Sequence, residues 1–196
     1  MKPELNAQVT LFINEARRSQ EQENEEEQMH GKLYDYFEKD HKRLEGLLNR
    51  ATEALDSIDL KSYAEFRSGL LRHIGMEERI LFPAAQEANG GVPLASFAKL
   101  RLDHGALTAL MVPPPTRAIV ATIRNILIKH DEIEESPGGP YDTCELLAGN
   151  ELESILLKVQ NTPAVPVLRH RSEPFVLDAT KRAVARAGYI LEDLKT

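Results

Sequence analysis

Several features that mark particular classes of protein are missing from this sequence. The single cysteine, Cys144, cannot form an internal disulfide, and the first residues lack the apolar core of a signal peptide. We therefore expect a protein of the reducing cytoplasm. No segment reaches the roughly 18 consecutive apolar residues that a membrane-spanning helix needs, so we expect no membrane partner.

Basic charge is also scarce. Lys and Arg number 24 against 31 Asp and Glu, which gives a formal net charge of −7. This acidic excess argues against nucleic acid as a partner. The sequence contains no nucleotide-binding loop, nucleophile triad or cysteine-based zinc motif. Its 196 residues suit one sizeable domain with extensions at either end.

What the sequence does contain is a histidine pattern that occurs twice. In each half a lone His follows an Asp, a His/Glu pair comes next, and a proline lies ten residues after the histidine of that pair. In chain order the pattern reads Asp40-His41-x-x-Leu44, His73-x-x-x-Glu77-Glu78, Pro83, Asp103-His104-x-x-Leu107, His130-x-x-x-Glu134-Glu135 and Pro140. The four imidazoles and the two paired carboxylates are enough to hold two metal ions.

Apolar residues recur at every third and fourth position, which predicts helices along the chain. Four core helices are expected, from near Gly31 to about Leu55, from Asp59 as N-cap past Pro83 to Gly90-Gly91, from about Pro93 to Met111, and from about Thr116 to Glu135. Proline and glycine clusters break the chain after the third and fourth helices. The fold predicted is all-α, an antiparallel up-and-down four-helix bundle.

Further helices are predicted at both ends of the chain. The division expected is 1–30, an N-terminal helical extension with an acidic run, 31–140, the bundle, and 141–196, a C-terminal helical extension. In the last part we predict a helix from Glu145 to Val159, a linker over Thr162–Pro166, and a helix over Ala179–Leu194. The apolar face of that final helix comprises Ala183, Ala187, Ile190 and Leu194. We expect it to pack on the bundle, and the alternative is a homodimer through the terminal helices.

The spacing of the repeated pattern explains its chemistry. Residues four apart on a helix lie one turn apart on the same face, so each His/Glu pair presents two ligands toward one point. The two pairs would face each other, with the lone histidines reaching in and Glu77 and Glu134 bridging the ions. Such an imidazole-rich site suits iron, and zinc and manganese remain alternatives. Burying these groups without a counter-charge would be costly, which favours a metal site over a purely hydrogen-bonded core.

These motifs resemble the hemerythrin-like proteins, also called the HHE cation-binding domain, over about residues 31 to 140. The resemblance implies an antiparallel bundle around a non-haem di-iron centre, in which two carboxylates and an oxo or hydroxo group bridge two iron ions. It also implies a small diatomic or peroxide ligand. The metal ligands implied are His41, His73, Glu77, His104, His130 and Glu134.

One position departs from the oxygen-carrying members of that family, which have a further histidine where this sequence has Thr108. The loss of a ligand argues against reversible oxygen carriage. The preferred function is a di-iron binding protein that senses or handles O2, NO, peroxide or iron. A second hypothesis is a di-iron enzyme that decomposes peroxide, or an iron-centre repair protein. A third is a structural or interaction protein braced by zinc.

Three side chains near the pattern have more than one interpretation. Glu45 lies one turn after His41. It can be interpreted as an additional metal ligand, as a hydrogen-bond partner of a ligand, or as a solvated carboxylate. Thr108 occupies the equivalent place in the second half. Tyr34 shares the stripe of His41 and lines a small pocket, supplies a redox-active phenol, or packs in the core.

Four acidic residues next to the ligands are assigned lesser roles. Asp40 and Asp103 precede the lone histidines, and we expect them to form surface ion pairs rather than to orient imidazoles. Glu78 and Glu135 lie five residues after their histidines and point partly away from the site. They would at best support the ligands through hydrogen bonds.

Overall fold

The computed structural model describes residues 30–54 and 56–191, and all regular structure in those ranges is helical. The helices are α1 Lys32–Ala51, α2 Leu60–Met76, α3 Phe82–Ala88, α4 Phe97–Leu110, α5 Arg117–Glu134, α6 Pro140–Ala148, α7 Leu152–Gln160 and α8 Pro174–Arg186. None of these helices is both long and apolar enough to span a bilayer. The all-α prediction is confirmed, and the predicted N-terminal helix lies outside the described residues.

Two of the core helices begin next to a residue whose side chain caps them, and the cap predicted at Asp59 is one of the two. Asp59 precedes α2, and its carboxylate accepts a hydrogen bond of 2.9 Å from the Lys61 backbone N–H. Thr116 precedes α5, and its hydroxyl accepts one of 3.2 Å from the Ile119 backbone N–H. Each cap satisfies a backbone donor that the first turn of a helix leaves unpaired.

A π-helical turn, Glu77–Leu81, joins α2 to α3 and lets the helix continue through Pro83. The Phe82 backbone N–H donates to the Glu77 carbonyl, five residues back. Proline has no N–H to donate and its ring crowds the preceding turn, so the wider turn relieves the conflict. Two glycines with positive φ, Gly90 and Gly91, follow the end of α3.

The contacts of α1 show that it runs opposite to two of its neighbours, α2 and α5. Contacts between α1 and α2 pair residues in reverse order, namely Tyr36 with Met76, Asp40 with His73 and Leu44 with Gly69. Contacts between α1 and α5 do the same, namely Tyr34 with Glu135 and Asn49 with Arg124. The histidines of the pattern lie where these helices meet, as the contact of Asp40 with His73 shows.

Two apolar clusters fill the core on either side of the histidines. One contains Leu44, Leu70, Leu107 and Ile126, and the other contains Phe37, Met76, Leu100 and Tyr141. His41, His73 and His104 each lie between a residue of one cluster and a residue of the other along the same helix. His130 lies between Ile126 of the first cluster and Ile133, which packs against the second. The polar centre is therefore enclosed by apolar side chains at both ends.

The C-terminal part differs from its prediction in two respects. The helix predicted over 145–159 is interrupted by a 3₁₀ turn, Gly149–Glu151, where Gly149 has a φ of 47°. The final helix begins at Pro174 and ends at Arg186, because Gly188, with a φ of 89°, turns the chain. The segment between α7 and α8 has no helix, as the proline-rich linker predicts.

The predicted apolar face of the final helix is confirmed only in part, because Ala187 is buried, Ile190 is not, and Leu194 lies outside the described residues. Ile190 lies beyond the helix and is 79% exposed, whereas the buried side chains are Val176, Thr180, Val184 and Ala187. This face packs on α4, where the Thr180 hydroxyl donates to the Ala109 carbonyl at 3.1 Å. The described part of the C-terminal extension thus packs within the chain. The homodimer and the division into three parts stay predictions.

Candidate metal centre

Four helices each contribute one histidine to a buried centre. The side chains of His41 from α1, His73 from α2, His104 from α4 and His130 from α5 are all at most 8% exposed. Glu77 and Glu134, at the ends of α2 and α5, are completely buried. The structure therefore brings together all six residues of the implied ligand set.

The donors form two groups that share both glutamates. We call His41, His73, Glu77 and Glu134 the first group, and Glu77, His104, His130 and Glu134 the second group. Within each group, one donor atom from every residue lies within 4.8 Å of all the others. Each group is a set of donors that could hold a metal ion.

The distances between donors suit metal coordination. His41 Nε2 lies 2.9 Å from His73 Nε2, and His104 Nε2 lies 3.2 Å from His130 Nε2. With metal–ligand bonds of about 2.1 Å, neighbouring donors in an octahedron lie about 3 Å apart. The two oxygens of Glu77 face different groups, since Oε1 lies 3.5 Å from His73 Nε2 and Oε2 lies 3.1 Å from His104 Nε2. This is the arrangement that a bridging carboxylate needs.

The outward-facing nitrogen of every histidine in the centre lies near a carboxylate. The Nδ1-to-oxygen distances are 2.6 Å for His41 with Glu135, 2.7 Å for His104 with Glu78, 2.9 Å for His73 with Asp40, and 3.6 Å for His130 with Asp103. Metal-binding histidines commonly donate their second N–H to a carboxylate, which fixes the ring with its other nitrogen toward the metal. The four Nε2 atoms accordingly point into the centre.

The prediction for Asp40 and Asp103 is correct only in that each forms an ion pair with a partly exposed cation, Arg43 and Lys99 respectively. Their predicted position at the surface is wrong. Asp103 is completely buried and Asp40 is 9% exposed. A helical residue next to a ligand is rotated by about 100° from it, so its side chain faces the neighbouring helix. Asp40 reaches His73 on α2, and Asp103 faces His130 on α5. Sequence periodicity could not identify which side chain lies opposite.

The charges in the centre stabilise one another against burial. Burial lowers the pKa of His73, but the Glu77 charge and the hydrogen bond to Asp40 outweigh it and raise that pKa to about 10. Burial raises the pKa of Glu77, but the imidazoles of His73 and His104 hold it well below its usual value. Burial also lowers the pKa of His130, but Glu134, Asp103 and Glu77 together raise it well above its usual value. The carboxylates thus create a negative potential that favours protons or a metal cation.

Some buried polar atoms of the centre lack a hydrogen-bond partner within the described ranges. They include Glu134 Oε1 and His130 Nδ1. Unpaired buried groups of this kind are unfavourable and often mark a site for an ion or water. Together with the donor types and distances, they show that these residues fit a metal pair.

A tyrosine that sequence reasoning missed lies inside the centre. The Tyr141 hydroxyl is 2.7 Å from Glu77 Oε1 and 2.9 Å from Glu134 Oε2, and it can donate to one of them at a time. Tyr141 is 1% exposed and directly follows Pro140 at the start of α6. The repeat carries a signal for it, because the residue after Pro83 in the first half is Ala84, so that a phenol distinguishes the second half.

The three additional candidates do not join either group. Glu45 and Thr108 are exposed. Tyr34 is buried, and its hydroxyl donates to the Glu135 backbone carbonyl at 3.0 Å. Since the Glu135 side chain contacts His41, Tyr34 is one residue removed from the ligands.

A cavity of about 320 Å³ adjoins the centre. Its lining includes three of the histidines and a set of apolar side chains, namely His41, His73, His130, Leu44, Leu48, Leu70, Leu107 and Leu127. The exposed side chains of Lys42, Glu45 and Ile128 also line it. The cavity therefore connects the surface with the donors and offers a route for a small molecule.

The chain matches the family model of the hemerythrin HHE cation-binding domain over residues 32–136. That match covers more than half of the sequence, so the protein belongs to this family. No curated protein and no solved structure gives a significant match.

Proposed function

We propose that this protein is a non-haem di-iron protein in which α1, α2, α4 and α5 form an antiparallel four-helix bundle. The observation that carries the proposal is the pair of donor groups that share Glu77 and Glu134. The reversed contacts between neighbouring helices support the bundle. His41 and His73 would hold one ion, and His104 and His130 the other.

Iron is the metal that these donors favour. Structural zinc sites are usually tetrahedral and rich in cysteine, whereas bundles with shared glutamates and histidines commonly hold two irons. When bound, a pair of iron ions supplies redox chemistry and open coordination positions for small oxidants. The protein's own residues would hold the ions. The carboxylates of Glu135, Glu78 and Asp40 orient three of the imidazoles, and the two apolar clusters enclose the site.

The proposed role of the centre is to sense or handle O2, NO, peroxide or iron in the cytoplasm. The apolar cavity beside His41, His73 and His130 supports access by a small molecule with low charge. Because its volume exceeds that of a diatomic molecule, decomposition of peroxide is the second candidate function. A peroxide assay separates the two functions, because an enzyme consumes many equivalents of peroxide whereas a sensor binds its ligand stoichiometrically.

The experiment that tests the proposal is metal analysis of the protein purified from iron-supplemented cells. We expect about two irons per chain and absorption bands that change on exposure to air, peroxide or NO. The ligand that changes the spectrum identifies the chemistry. Zinc, or no metal, in a folded and unresponsive protein would instead support a structural role.

A further inference from the structure

We propose that the phenol oxygen of Tyr141 is a fifth protein ligand of the metal ion held by the first group. The inference rests on the metal binding proposed above and assigns a ligand outside the six of the repeated pattern. It also makes the two halves of the centre chemically different.

The position of the Tyr141 oxygen relative to the first group is the main evidence. It lies within 3.5 Å of one donor atom of every member, namely Glu77 Oε1 at 2.7 Å, Glu134 Oε2 at 2.9 Å, His41 Nε2 at 3.2 Å and His73 Nε2 at 3.5 Å. A donor in an octahedron has four neighbouring donors, each about 3 Å away when the metal–ligand bonds are about 2.1 Å. The phenol oxygen thus has the surroundings of one more ligand.

A hydrogen-bonding role alone explains less of this geometry. The hydroxyl has a single proton, yet two carboxylate oxygens lie within 3 Å of it and two imidazole nitrogens lie slightly farther away. One carboxylate would satisfy the hydroxyl. The convergence of all four first-group donors on one oxygen is what shared coordination of a cation requires.

The ring of Tyr141 is held firmly in this position. It stacks on Phe37, with ring centroids 5.0 Å apart and an interplanar angle of 27°, and meets Tyr34 edge-on at 6.1 Å. Pro140 fixes the backbone at the first turn of α6, and α6 packs against α1 and α3. A buried ring with these contacts cannot turn its oxygen away without disturbing the core.

Coordination replaces the phenolic proton. The O–H bond breaks, a metal–oxygen bond forms and one proton is released to solvent. A divalent or trivalent cation between these groups favours loss of that proton, as it does for other ligands that lose a proton on binding.

The repeat provides an internal comparison for the second group. Eleven residues after His130 the chain has Tyr141, and eleven residues after His73 it has Ala84, whose methyl side chain offers no oxygen. In the part of the chain that the structure describes, the contacts of the Tyr141 hydroxyl include neither His104 nor His130. The first ion would have five protein donors and the second would have four.

The test compares the ferric forms of the wild type, Tyr141→Phe and the control Tyr34→Phe. We expect the wild type to show a visible phenolate-to-iron charge-transfer band and resonance Raman ring vibrations that shift when the protein contains ring-deuterated tyrosine. Tyr141→Phe should lose both signals while iron stays at about two per chain. Tyr34→Phe, which removes another buried hydroxyl from the same apolar cluster, should keep them.

The outcomes separate this inference from the proposed function. Two irons per chain without phenolate vibrations would overturn the ligand assignment and leave the di-iron proposal standing. Signals that persist in Tyr141→Phe would also overturn the ligand assignment and leave the di-iron proposal standing. Wild-type protein that binds no iron would overturn both. If Tyr141→Phe does not fold, the isotope shift in the wild type and its retention in Tyr34→Phe still decide whether a buried tyrosine other than Tyr34 binds iron.

Discussion

The two halves of the metal centre come from one sequence pattern, and they support each other crosswise. Glu135 comes directly after the second His/Glu pair but contacts His41, whereas Glu78 comes directly after the first pair but contacts His104. The carboxylate that orients each lone histidine therefore belongs to the opposite half. Neither half is a complete site, because each supplies the groups that position the other.

The halves differ in the path of the chain beyond Glu77 and Glu134. After Glu77 the helix continues through a π-helical turn past Pro83. After Glu134 the helix ends, Gly138 adopts a φ of 70°, and a new helix begins at Pro140. This break brings Tyr141 into the centre on one side only, so a symmetric pattern produces an asymmetric site.

The largest effect, a loss of bound metal, is expected when a candidate ligand is removed from either half. His73→Ala and His130→Ala should each abolish two-metal occupancy, because each removes a donor that faces both a glutamate and another imidazole. Metal analysis of the purified variants checks this expectation. His30→Ala and His170→Ala are the controls, since these histidines contact Asp142 and Arg67 away from the donors. Equal metal loss in all four variants would refute the ligand assignment.

The next largest effect is a loss of stability, expected when the leucine three residues after each lone histidine is shortened. Leu44 and Leu107 are 2% and 0% exposed in the same apolar cluster. Leu44→Ala and Leu107→Ala should each lower the free energy of unfolding by about 2–5 kcal/mol, through lost burial and the cavity left behind. Denaturant unfolding of metal-free protein measures this, with Leu146→Ala as the control because Leu146 is 81% exposed. If Leu146→Ala lowers the free energy of unfolding as much as Leu44→Ala or Leu107→Ala, the packing argument is contradicted.

A smaller effect should result from removal of the crosswise carboxylates. Glu78→Gln and Glu135→Gln keep the shape of the side chain but remove the charge that orients His104 and His41. Metal affinity should fall by about 10- to 100-fold in each variant, measured by competition with a chelator. Glu132→Gln on the exposed face of α5 serves as the matched control. If the two variants bind metal as tightly as the control, these carboxylates do not position the ligands.

The smallest effect is expected at the start of α5. Thr116→Ala removes the hydroxyl that accepts from the Ile119 N–H, which should lower the free energy of unfolding by about 1 kcal/mol. Thermal or denaturant unfolding measures it. Thr108→Ala is a useful control, because this exposed threonine lies within α4 and outside both donor groups. A loss of metal in Thr108→Ala would show that the threonine takes part in the site after all.

The sequence could predict much of this because helical periodicity acts within a single segment. The four-residue spacing places His73 with Glu77, and His130 with Glu134, on one face of a helix whatever surrounds them. Asp59 and Thr116 cap their helices through bonds to backbone groups two or three residues away. The helices, the six candidate ligands and the family resemblance all depend on such local information.

Only the tertiary structure decided how the helices meet. Helical periodicity predicts the side of the helix on which Asp40 or Glu135 lies. Which residue of the next helix each one contacts depends on packing across the core. The position of Tyr141 depends on how the chain turns back after Gly138 and Gly139, where no periodic pattern operates. The sequence by itself thus determined the six candidate ligands of the repeated pattern. Packing decided which carboxylate orients each imidazole and which half receives a phenol, because those contacts join segments that are distant along the chain.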